Sequence, residues 1–530
     1  MKTVKKFLSV FMAIVILMST VVVVFASSDE FDVTRAAIVI PSDASITDNY
    51  AAERLKYYLD DIINSDIQII TDASTADLEI AVGATKRDNT DFSSAADGSY
   101  IITSDSDTVI INGAGNKGTL NGVYAFLEKY CDCHWYEAEV IIIPENEQLT
   151  VPAGINEKYT PFFEYTETDT MSARDPEFSV ANGLTGGIYK DLSAEQGHAV
   201  EYIGGSSHTL VNGYCKPAVY FEEHPEYYAL RNGVRQPTQL CLTNEDVIDI
   251  VTAEALAKLE EKHNPESSLQ IISITQGDSG ADGKMCQCAK CKAIDDENGS
   301  HSGTMITFVN RIARAVKEAG YNNVAIDTFA YRYTRKAPSK VVPEDNVIVR
   351  LCTIECCFAH PLDDENCKDN AAFMDDLREW SKICDRIYVW DYTTNYANTL
   401  GIFPDFGVLQ KNIKTFLENN VVGIYEEGNY YMDSCDGEFG ELRAYLLSKI
   451  MQNPYINFNN CMNEFLIAYY GKGWENIRKF IDMTIQNPTA ANGHLRIYST
   501  MADTLGFTDE AVEKADKLWG EIGSVAENTC

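Results

Sequence analysis

LQIISITQGDSGADGKMCQCAKC, residues 269–291, contains the pattern that decides the fold. An apolar run from Leu269 to Ile274 stops at the polar sequence Gln276-Gly277-Asp278, and a segment rich in Gly, Ser and Asp follows. This pattern predicts a buried strand that ends in a polar loop. In a parallel barrel, a carboxylate at the carboxyl end of a strand lies at the mouth, where active sites are found. Asp278 is therefore a candidate site residue, and the alternative is an ordinary turn aspartate.

Similar strands recur along the chain, alternating with amphipathic helices from Pro161 onward. This alternation predicts a parallel sheet. Eight strands close a barrel, so the sequence predicts a (β/α)8 TIM-like barrel. The predicted strands are 162–166, 199–203, 238–242, 269–275, 324–329, 347–352, 386–390 and 421–425.

Other segments flank the predicted barrel. A strand at 36–40, an amphipathic helix at 49–63 and a second strand at 78–82 predict a small α/β domain before it. Helical periodicity continues after Glu441 and predicts a helical C-terminal region. The predicted organisation is a signal peptide at 1–26, a small α/β domain at 27–155, the barrel at 156–436 and the helical region at 437–530.

The N-terminus combines Lys2, Lys5 and Lys6 with an apolar stretch and small residues around Val24-Phe25-Ala26. This layout is that of a secretory signal peptide, with cleavage after Ala26. The alternative is an uncleaved anchor, because the apolar stretch is long enough to span a bilayer. We expect the mature protein to be secreted or held at the cell surface, without membrane insertion after cleavage.

Composition excludes several classes of partner. The 530 residues are 45% hydrophobic and carry a net charge of −36, which is spread along the chain. Such a surface repels nucleic acid and anionic membranes, so neither is expected as a partner. No cofactor or nucleotide is expected either.

The cysteines leave three readings open. Cys286, Cys288 and Cys291 form a CxCxxC cluster, and the total of 15 cysteines is odd. The cluster could hold a structural zinc ion with a fourth ligand such as Cys241, could form one disulfide and a free thiol, or could be reduced and buried. A disulfide or a free thiol is the favoured interpretation, and a zinc site is the alternative.

Acidic and aromatic side chains follow the predicted strands. The candidate site residues are Asp278, Tyr331, Tyr333, Glu355, Trp390, Asp391, Glu426 and Asn429 at the ends of strands four to eight, and His208 after strand two. Aromatic faces stack on sugar rings, while one carboxylic acid protonates the glycosidic oxygen and a second carboxylate stabilises the transition state or activates the nucleophile. The pattern therefore favours carbohydrate cleavage.

Each residue also has a structural alternative. Glu355 could pair with Arg350 or Arg332, and His208 could be a structural histidine. Side chains alternate along a strand, so Glu426 and Glu427 should point in opposite directions and at most one should enter the barrel mouth.

The chain resembles known families in several motifs. GTLNGVYAFLEKYCDCHWY resembles the end of the small α/β domain that precedes the barrel in alpha-glucuronidases and beta-hexosaminidases. HPEYYALRNGVRQPTQLCLTN, ITQGD, CQCAKC, FAYRYTRKAP, LCTIECCFAHP, VWDYTTNY and GIYEEGNYY resemble the bacterial family called domain of unknown function 4838. That resemblance covers about residues 208–470. Some members are assigned to glycoside hydrolase family 163, which implies a secreted, retaining endo-beta-N-acetylglucosaminidase that acts on N-glycans or glycoproteins.

The resemblance also implies roles for two acids. By analogy with hexosaminidases, Glu355 is expected to be the general acid/base and Asp278 the carboxylate that orients the substrate's 2-acetamido group, or the reverse. The fourth strand ends in Gln-Gly-Asp, without the adjacent Asp-Glu pair of hexosaminidases. A direct mechanism with two carboxylates therefore stays open.

Two other functions stay open. An exo-acting alpha-glucuronidase-like enzyme would need cations for a uronate carboxylate, and Arg332, Arg335 and Arg174 are the candidates. A non-catalytic glycan-binding protein would keep the aromatic residues without needing paired acids.

Overall fold

The computed structural model describes residues 30–278, 285–429, 437–490, 493–499 and 508–525. The predicted signal peptide at 1–26 lies outside these residues. The chain first forms a six-stranded sheet in the order β10-β5-β6-β4-β2-β3. Strand β10 extends to Tyr159, so this sheet continues four residues beyond the predicted boundary at 155. The strands of the first part of the chain are β1 Glu30–Asp32, β2 Ala37–Ile40, β3 Ile69–Thr71, β4 Glu79–Val82, β5 Tyr100–Ser104, β6 Thr108–Gly113, β7 His134–Glu137, β8 Val140–Ile142, β9 Thr150–Pro152 and β10 Asn156–Tyr159.

Two helices cover this first sheet, and their apolar faces explain their packing. The helix Ile46–Ile63 begins at Ser45, whose side chain accepts a hydrogen bond from the backbone of Asp48. It buries Leu55 and Leu59 against the sheet. The second helix, Gly118–Cys131, packs beside the first.

A curled parallel sheet of seven strands follows, in the order β11-β19-β18-β17-β16-β15-β12. Its helices alternate with its strands, as the sequence predicts. The eight-stranded barrel was not confirmed, because the predicted strand 238–242 lies outside this sheet. The remaining strands are β11 Tyr165–Thr168, β12 Glu201–Tyr202, β13 Tyr228–Arg231, β14 Val234–Leu240, β15 Gln270–Ser273, β16 Val324–Ala330, β17 Val347–Cys352, β18 Ile387–Tyr392 and β19 Val421–Glu427.

The predicted third barrel strand forms an antiparallel hairpin with β13 instead. The two strands are joined by Asn232-Gly233, both with positive φ (48° and 79°), which is the favoured sequence for a tight hairpin turn. Pro237 interrupts β14, and proline is disfavoured inside a sheet. The Asn-Gly turn and the proline were visible in the sequence and indicate a hairpin rather than a central parallel strand.

The sheet curls until its two edge strands approach each other. The rings of Tyr165 on β11 and Tyr202 on β12 lie 6.2 Å apart. Among the described residues, no strand pairing joins β11 to β12. In the interior, the fully buried Arg350 forms an ion pair with Asp327 and contacts the hydroxyl of Tyr202. The described sheet is therefore a curled half-barrel with a charged pair in its core.

A loop between β11 and β12 is fixed by one buried carboxylate. Glu167 accepts hydrogen bonds from the hydroxyl of Tyr165 at 2.6 Å and from the backbone N–H groups of Ile188 at 2.7 Å and Tyr189 at 2.8 Å. This arrangement places Tyr189 at the carboxyl end of the sheet.

Helices surround the parallel sheet, and further helices follow it in the described part of the chain, the last ending at Val525. The helices Glu245–Lys262 and Ser302–Glu318 lie between strands, as the predicted alternation requires, and Trp474–Ala490 belongs to the predicted helical C-terminal region. In the described part of the chain, no helix combines the length and apolar character needed to cross a membrane. The other helices are Pro176–Ala181, Pro217–Tyr220, Ala289–Asn298, Lys368–Trp380, Leu409–Glu418, Gly440–Gln452, Phe458–Tyr470 and Asp509–Val525.

Candidate active site

A cavity of about 490 Å³ opens at the carboxyl ends of the parallel strands. Strands β16, β17, β18 and β19 each contribute a side chain, since Phe329, Cys352, Trp390 and Glu427 all line it. Its position is the one expected for an active site in a parallel barrel-like sheet. The other lining residues are Tyr189, Ser207, His208, Asp278, Tyr331, Ile354, Tyr392, Tyr396 and Tyr498.

Glu427 is the buried carboxyl group of this cavity. Its side chain is 7% exposed, and burial raises its pKa to about 7. The indole Nε1–H of Trp390 donates a hydrogen bond to Glu427, and a hydrogen bond with Tyr396 also favours the ionised form, but burial outweighs both. Glu427 therefore exchanges its proton near neutral pH, as a general acid must.

Asp278 is the second carboxyl group of the cavity, and it is exposed. The hydroxyl of Tyr331 donates a hydrogen bond to Oδ1 of Asp278 at 3.1 Å. Gly277, immediately before it, is tightly enclosed, since an added Cβ would lie 2.8 Å from the carbonyl oxygen of Thr238. The cavity thus combines one buried and one solvent-accessible carboxyl group.

His208 lines the cavity in a left-handed backbone conformation, with φ of 52°. Its Nδ1 lies 2.8 Å from the carbonyl oxygen of Gln276. A carbonyl oxygen only accepts, so Nδ1 carries the proton and Nε2 is the ring atom that can meet a substrate hydroxyl. The ring also contacts Phe329 and Tyr331, with centroids 5.6 Å and 6.0 Å apart.

Glu355, the predicted general acid, is held by two arginines outside the lining of the cavity. Nη1 of Arg335 lies 2.6 Å from Oε2 of Glu355, and Nη1 of Arg332 lies 3.3 Å from Oε1. Arg335 also pairs with Asp376 at 2.6 Å. The pair with Arg332 is one of the two structural alternatives given for Glu355. Arg335 is a further partner, and Arg350, the other alternative, pairs with Asp327 instead.

Two predicted acids face away from the cavity. The alternation along β19 places Glu427 at the cavity and leaves Glu426 among the buried acids Asp391 and Asp405. Burial raises the pKa of Asp391 to about 6, and Thr353 and the backbone N–H of Tyr392 donate hydrogen bonds to it. Asp391 and Glu426 therefore form a buried cluster outside the cavity lining.

Tyr333 and Asn429 also lie outside the lining of the cavity. Tyr333 belongs to the short 3-10 turn Arg332–Thr334, which breaks the strand alternation, and its ring contacts His301 at 6.4 Å. Asn429 accepts a hydrogen bond from Thr394 and donates one to the carbonyl oxygen of Thr399 at 2.8 Å. Of the predicted site residues, the cavity brings together Asp278, His208, Tyr331 and Trp390.

The sequence reasoning missed several lining residues. The alternation along the last strand admits only one of Glu426 and Glu427 to the cavity; Glu426 was the predicted one, and the lining residue is Glu427. Tyr396 lies in the loop after the seventh predicted strand, whereas Tyr498 lies far from every predicted strand end, and contacts between the two segments bring them together. The backbone N–H of Tyr396 donates to the carbonyl oxygen of Ile497 at 2.6 Å, which brings the segment 493–499 to the cavity.

The CxCxxC cluster forms a four-cysteine group with the predicted fourth residue. The Sγ atom of Cys241 lies 3.7 Å from that of Cys288 and 4.0 Å from that of Cys291, and with Cys286 all four ligand atoms lie within 4.8 Å of one another. Four thiolates at about 2.3 Å around zinc would be separated by about 3.8 Å. None of the thirteen described cysteines forms a disulfide. The residues present therefore fit zinc, and zinc binding here stays a prediction.

The fold is similar to that of solved glycoside hydrolases. A family GH115 4-O-methyl-alpha-glucuronidase with specificity for decorated arabinogalactans has a TM-score of 0.57 and 10% identity, over 93% of this chain and 68% of that chain. A family 89 glycoside hydrolase from Clostridium perfringens, in complex with its substrate GlcNAc-alpha-1,4-galactose, has a TM-score of 0.48 and 12% identity, over 91% of this chain and 59% of that chain. At 10% identity, the similarity to the GH115 enzyme shows a similar fold and nothing more.

Sequence comparison gives a more direct result. No curated protein sequence matches the chain. A family model matches residues 135–482, which include the whole parallel sheet and all lining residues of the cavity except Tyr498. The match confirms the resemblance expected from the motifs. The chain belongs to the family described as Domain of unknown function (DUF4838).

Proposed function

We propose that the protein is a glycoside hydrolase whose general acid is Glu427 and whose second carboxylate is Asp278. The observation that carries this proposal is the cavity itself. It joins a buried carboxyl group, whose pKa is raised to about 7, with an exposed carboxylate and a wall of aromatic rings. Cleavage of a glycosidic bond requires this pair of groups.

The environments of the two acids assign their roles. Glu427 retains its proton to about neutral pH and delivers it to the glycosidic oxygen as the bond to the anomeric carbon breaks. Asp278 is exposed, and its Oδ1 accepts a hydrogen bond from the hydroxyl of Tyr331. As an anion it stabilises the positive charge that develops on the sugar, by direct attack or by orienting a 2-acetamido group. Glu355, in this proposal, positions Arg332 and Arg335 beside the site.

The charges around the cavity favour a neutral sugar. Among the described residues, none that lines the cavity is lysine or arginine. The three cations considered for a uronate are already paired: Arg332 and Arg335 with Glu355, and Arg174 with Asp169 at 2.7 Å. To bind one of these arginines, the carboxylate of a uronate would have to compete with Glu355 or Asp169.

We therefore propose a glycan that contains N-acetylglucosamine as the substrate, cleaved with retention in the endo manner that the family resemblance implies. An alpha-glucuronidase-like activity is the second candidate, favoured by the similarity in fold to an enzyme of that class. The N-terminal segment at 1–26 supports export to the cell surface or beyond as part of the same proposal.

The test is a panel of an N-glycoprotein, chitobiosides and aldobiouronic acids, treated with the wild type and with Glu427→Gln. We expect the wild type to release intact glycan and leave one N-acetylglucosamine on the protein, and the variant to lose this activity. The anomeric configuration of the first product, followed by NMR, reports retention.

Two other results would contradict the proposal. Release from the aldobiouronic acids alone would replace the neutral-sugar substrate by a uronide. Binding of the glycans without cleavage of any would make the protein a glycan-binding module.

A further inference from the structure

A second group of metal-binding side chains lies beside the cavity, separate from the four-cysteine group. It consists of Cys357, His360, Cys367 and His494, whose ligand atoms all lie within 4.8 Å of one another. We propose that these four residues bind a structural zinc ion that fastens the segment 493–499 to the loop after β17.

The distances fit tetrahedral coordination. The Sγ atom of Cys357 lies 3.3 Å from Nδ1 of His360, and the Sγ atom of Cys367 lies 3.7 Å from Nδ1 of His494. With zinc–sulfur and zinc–nitrogen bonds of about 2.3 Å and 2.0–2.1 Å, neighbouring sulfur and nitrogen ligands are separated by about 3.5 Å. The imidazole rings of His360 and His494 have centroids 5.2 Å apart, which is close enough for both to bind one metal ion.

The donor set selects the metal. Two thiolates and two imidazoles form a Cys2His2 set, which is typical of structural zinc sites. Tetrahedral sites with two sulfur and two nitrogen ligands favour zinc over Mg²⁺ or Ca²⁺, which require oxygen ligands. All four positions are supplied by the protein, so the site is structural rather than catalytic.

Two of the ligand residues are held in place by one buried side chain, and a third begins the helix that carries this side chain. Asn370 is fully buried on the helix Lys368–Trp380, and its Nδ2 donates to the carbonyl oxygens of Cys357 and His360, both at 3.0 Å. Its Oδ1 accepts from the backbone N–H of Cys357 at 2.7 Å. Cys367 precedes the same helix as its N-cap residue. The loop and the helix start are thus fixed to each other before any metal binds.

His494 comes from a distant part of the chain. The backbone N–H of Phe358 donates to the carbonyl oxygen of Leu495 at 2.8 Å, which sets the segment beside the loop. Leu495 and Ile497 are buried, whereas His494 is exposed and Tyr498 is 62% exposed. Leu495 and Ile497 anchor the segment in the core, and a metal bond through His494 would add an attachment on its exposed side.

The test is zinc binding by the reduced, full-length protein. We expect His494→Ala to bind one zinc ion fewer per chain than the wild type, counted by titration against a chromophoric chelator and by elemental analysis. Co²⁺ added in place of zinc should give the visible absorption of a tetrahedral site with thiolate ligands, and this signal should decrease in the variant.

Two controls separate the site from its surroundings. Arg496→Ala changes an exposed residue of the same segment, which pairs with Asp369, and should bind as much zinc as the wild type. Cys288→Ser removes a ligand of the four-cysteine group and should leave the His494-dependent zinc ion in place.

A second readout follows the segment directly. Zinc should slow tryptic cleavage at Arg496 in the wild type and have no effect on the rate in His494→Ala. Equal zinc content in the wild type and His494→Ala would overturn the proposal. So would a disulfide between Cys357 and Cys367, detected by mass spectrometry in protein whose thiols were blocked at lysis.

Discussion

At the scale of single residues, the central pair is Glu427 and Trp390. They lie on neighbouring strands, and the indole of Trp390 donates to the carboxylate of Glu427. That hydrogen bond favours the ionised acid, while burial favours the neutral acid and prevails. The balance sets the pH at which Glu427 can donate a proton.

The pH dependence of catalysis should report this balance. Because the acid must be protonated, we expect kcat/KM to fall as pH rises through about 7. Trp390→Phe removes a hydrogen bond to the ionised form, so the pKa of Glu427 should rise and the fall should move to higher pH. Profiles of kcat/KM against pH for the two proteins check this, and an unchanged or lower midpoint in Trp390→Phe would contradict it.

The buried pair of Arg350 and Asp327 makes a separate prediction at this scale. Both side chains are fully buried, so removing one partner leaves an unpaired group in the core. We expect Arg350→Met to lower the free energy of unfolding by about 3–5 kcal/mol. The double variant Arg350→Met/Asp327→Leu should recover much of this loss. Urea denaturation measures both, and a loss below about 1 kcal/mol in the single variant would contradict the prediction.

At the scale of elements, the open edge of the parallel sheet is the distinctive feature. Strands β11 and β12 approach without pairing in the described chain, and the loop between them carries Tyr189 to the cavity. Glu167 holds this loop through backbone N–H groups. The carboxylate of Glu167, rather than a paired strand, therefore holds the loop that forms this part of the cavity wall.

The loop should depend on that carboxylate. Glu167→Ala leaves the backbone donors of Ile188 and Tyr189 without their acceptor, and each lost partner costs about 1–3 kcal/mol. We expect faster amide hydrogen exchange at residues 186–190, a lower free energy of unfolding and a higher KM. The control is Glu164→Ala, which removes an exposed carboxylate that pairs with Arg386. Exchange that stays equal in the Glu167→Ala and wild-type proteins would contradict this role.

At the scale of the whole molecule, periodicity predicted a parallel sheet whose strands alternate with helices, but the closed barrel of eight strands was not confirmed. The predicted third strand, 238–242, lies outside the parallel sheet for a local reason: Asn232-Gly233 and Pro237 make a hairpin, which a search for apolar runs does not detect. The site was harder to predict. Asp278, Tyr331 and Trp390 lie at or near the carboxyl ends of strands. Tyr498 instead reaches the cavity through contacts between segments about a hundred residues apart in the chain, such as Tyr396 with Ile497. No strand-end rule contains that information.

The charge of −36 also acts at this scale. An acidic surface repels acidic glycans over a distance that salt shortens. This agrees with a neutral substrate and with a cavity lined, in its described part, without lysine or arginine.

The most direct test of the account compares Glu427→Gln with Glu355→Gln on whichever glycan the wild type cleaves. We expect Glu427→Gln to lower kcat/KM about 10²–10⁴-fold and to abolish its fall near neutral pH, because general acid catalysis contributes a factor of this size. Glu355→Gln should lose less and keep the same pH midpoint. The reverse result, with the large loss and the changed pH profile in Glu355→Gln, would contradict the assignment of Glu427 as the general acid.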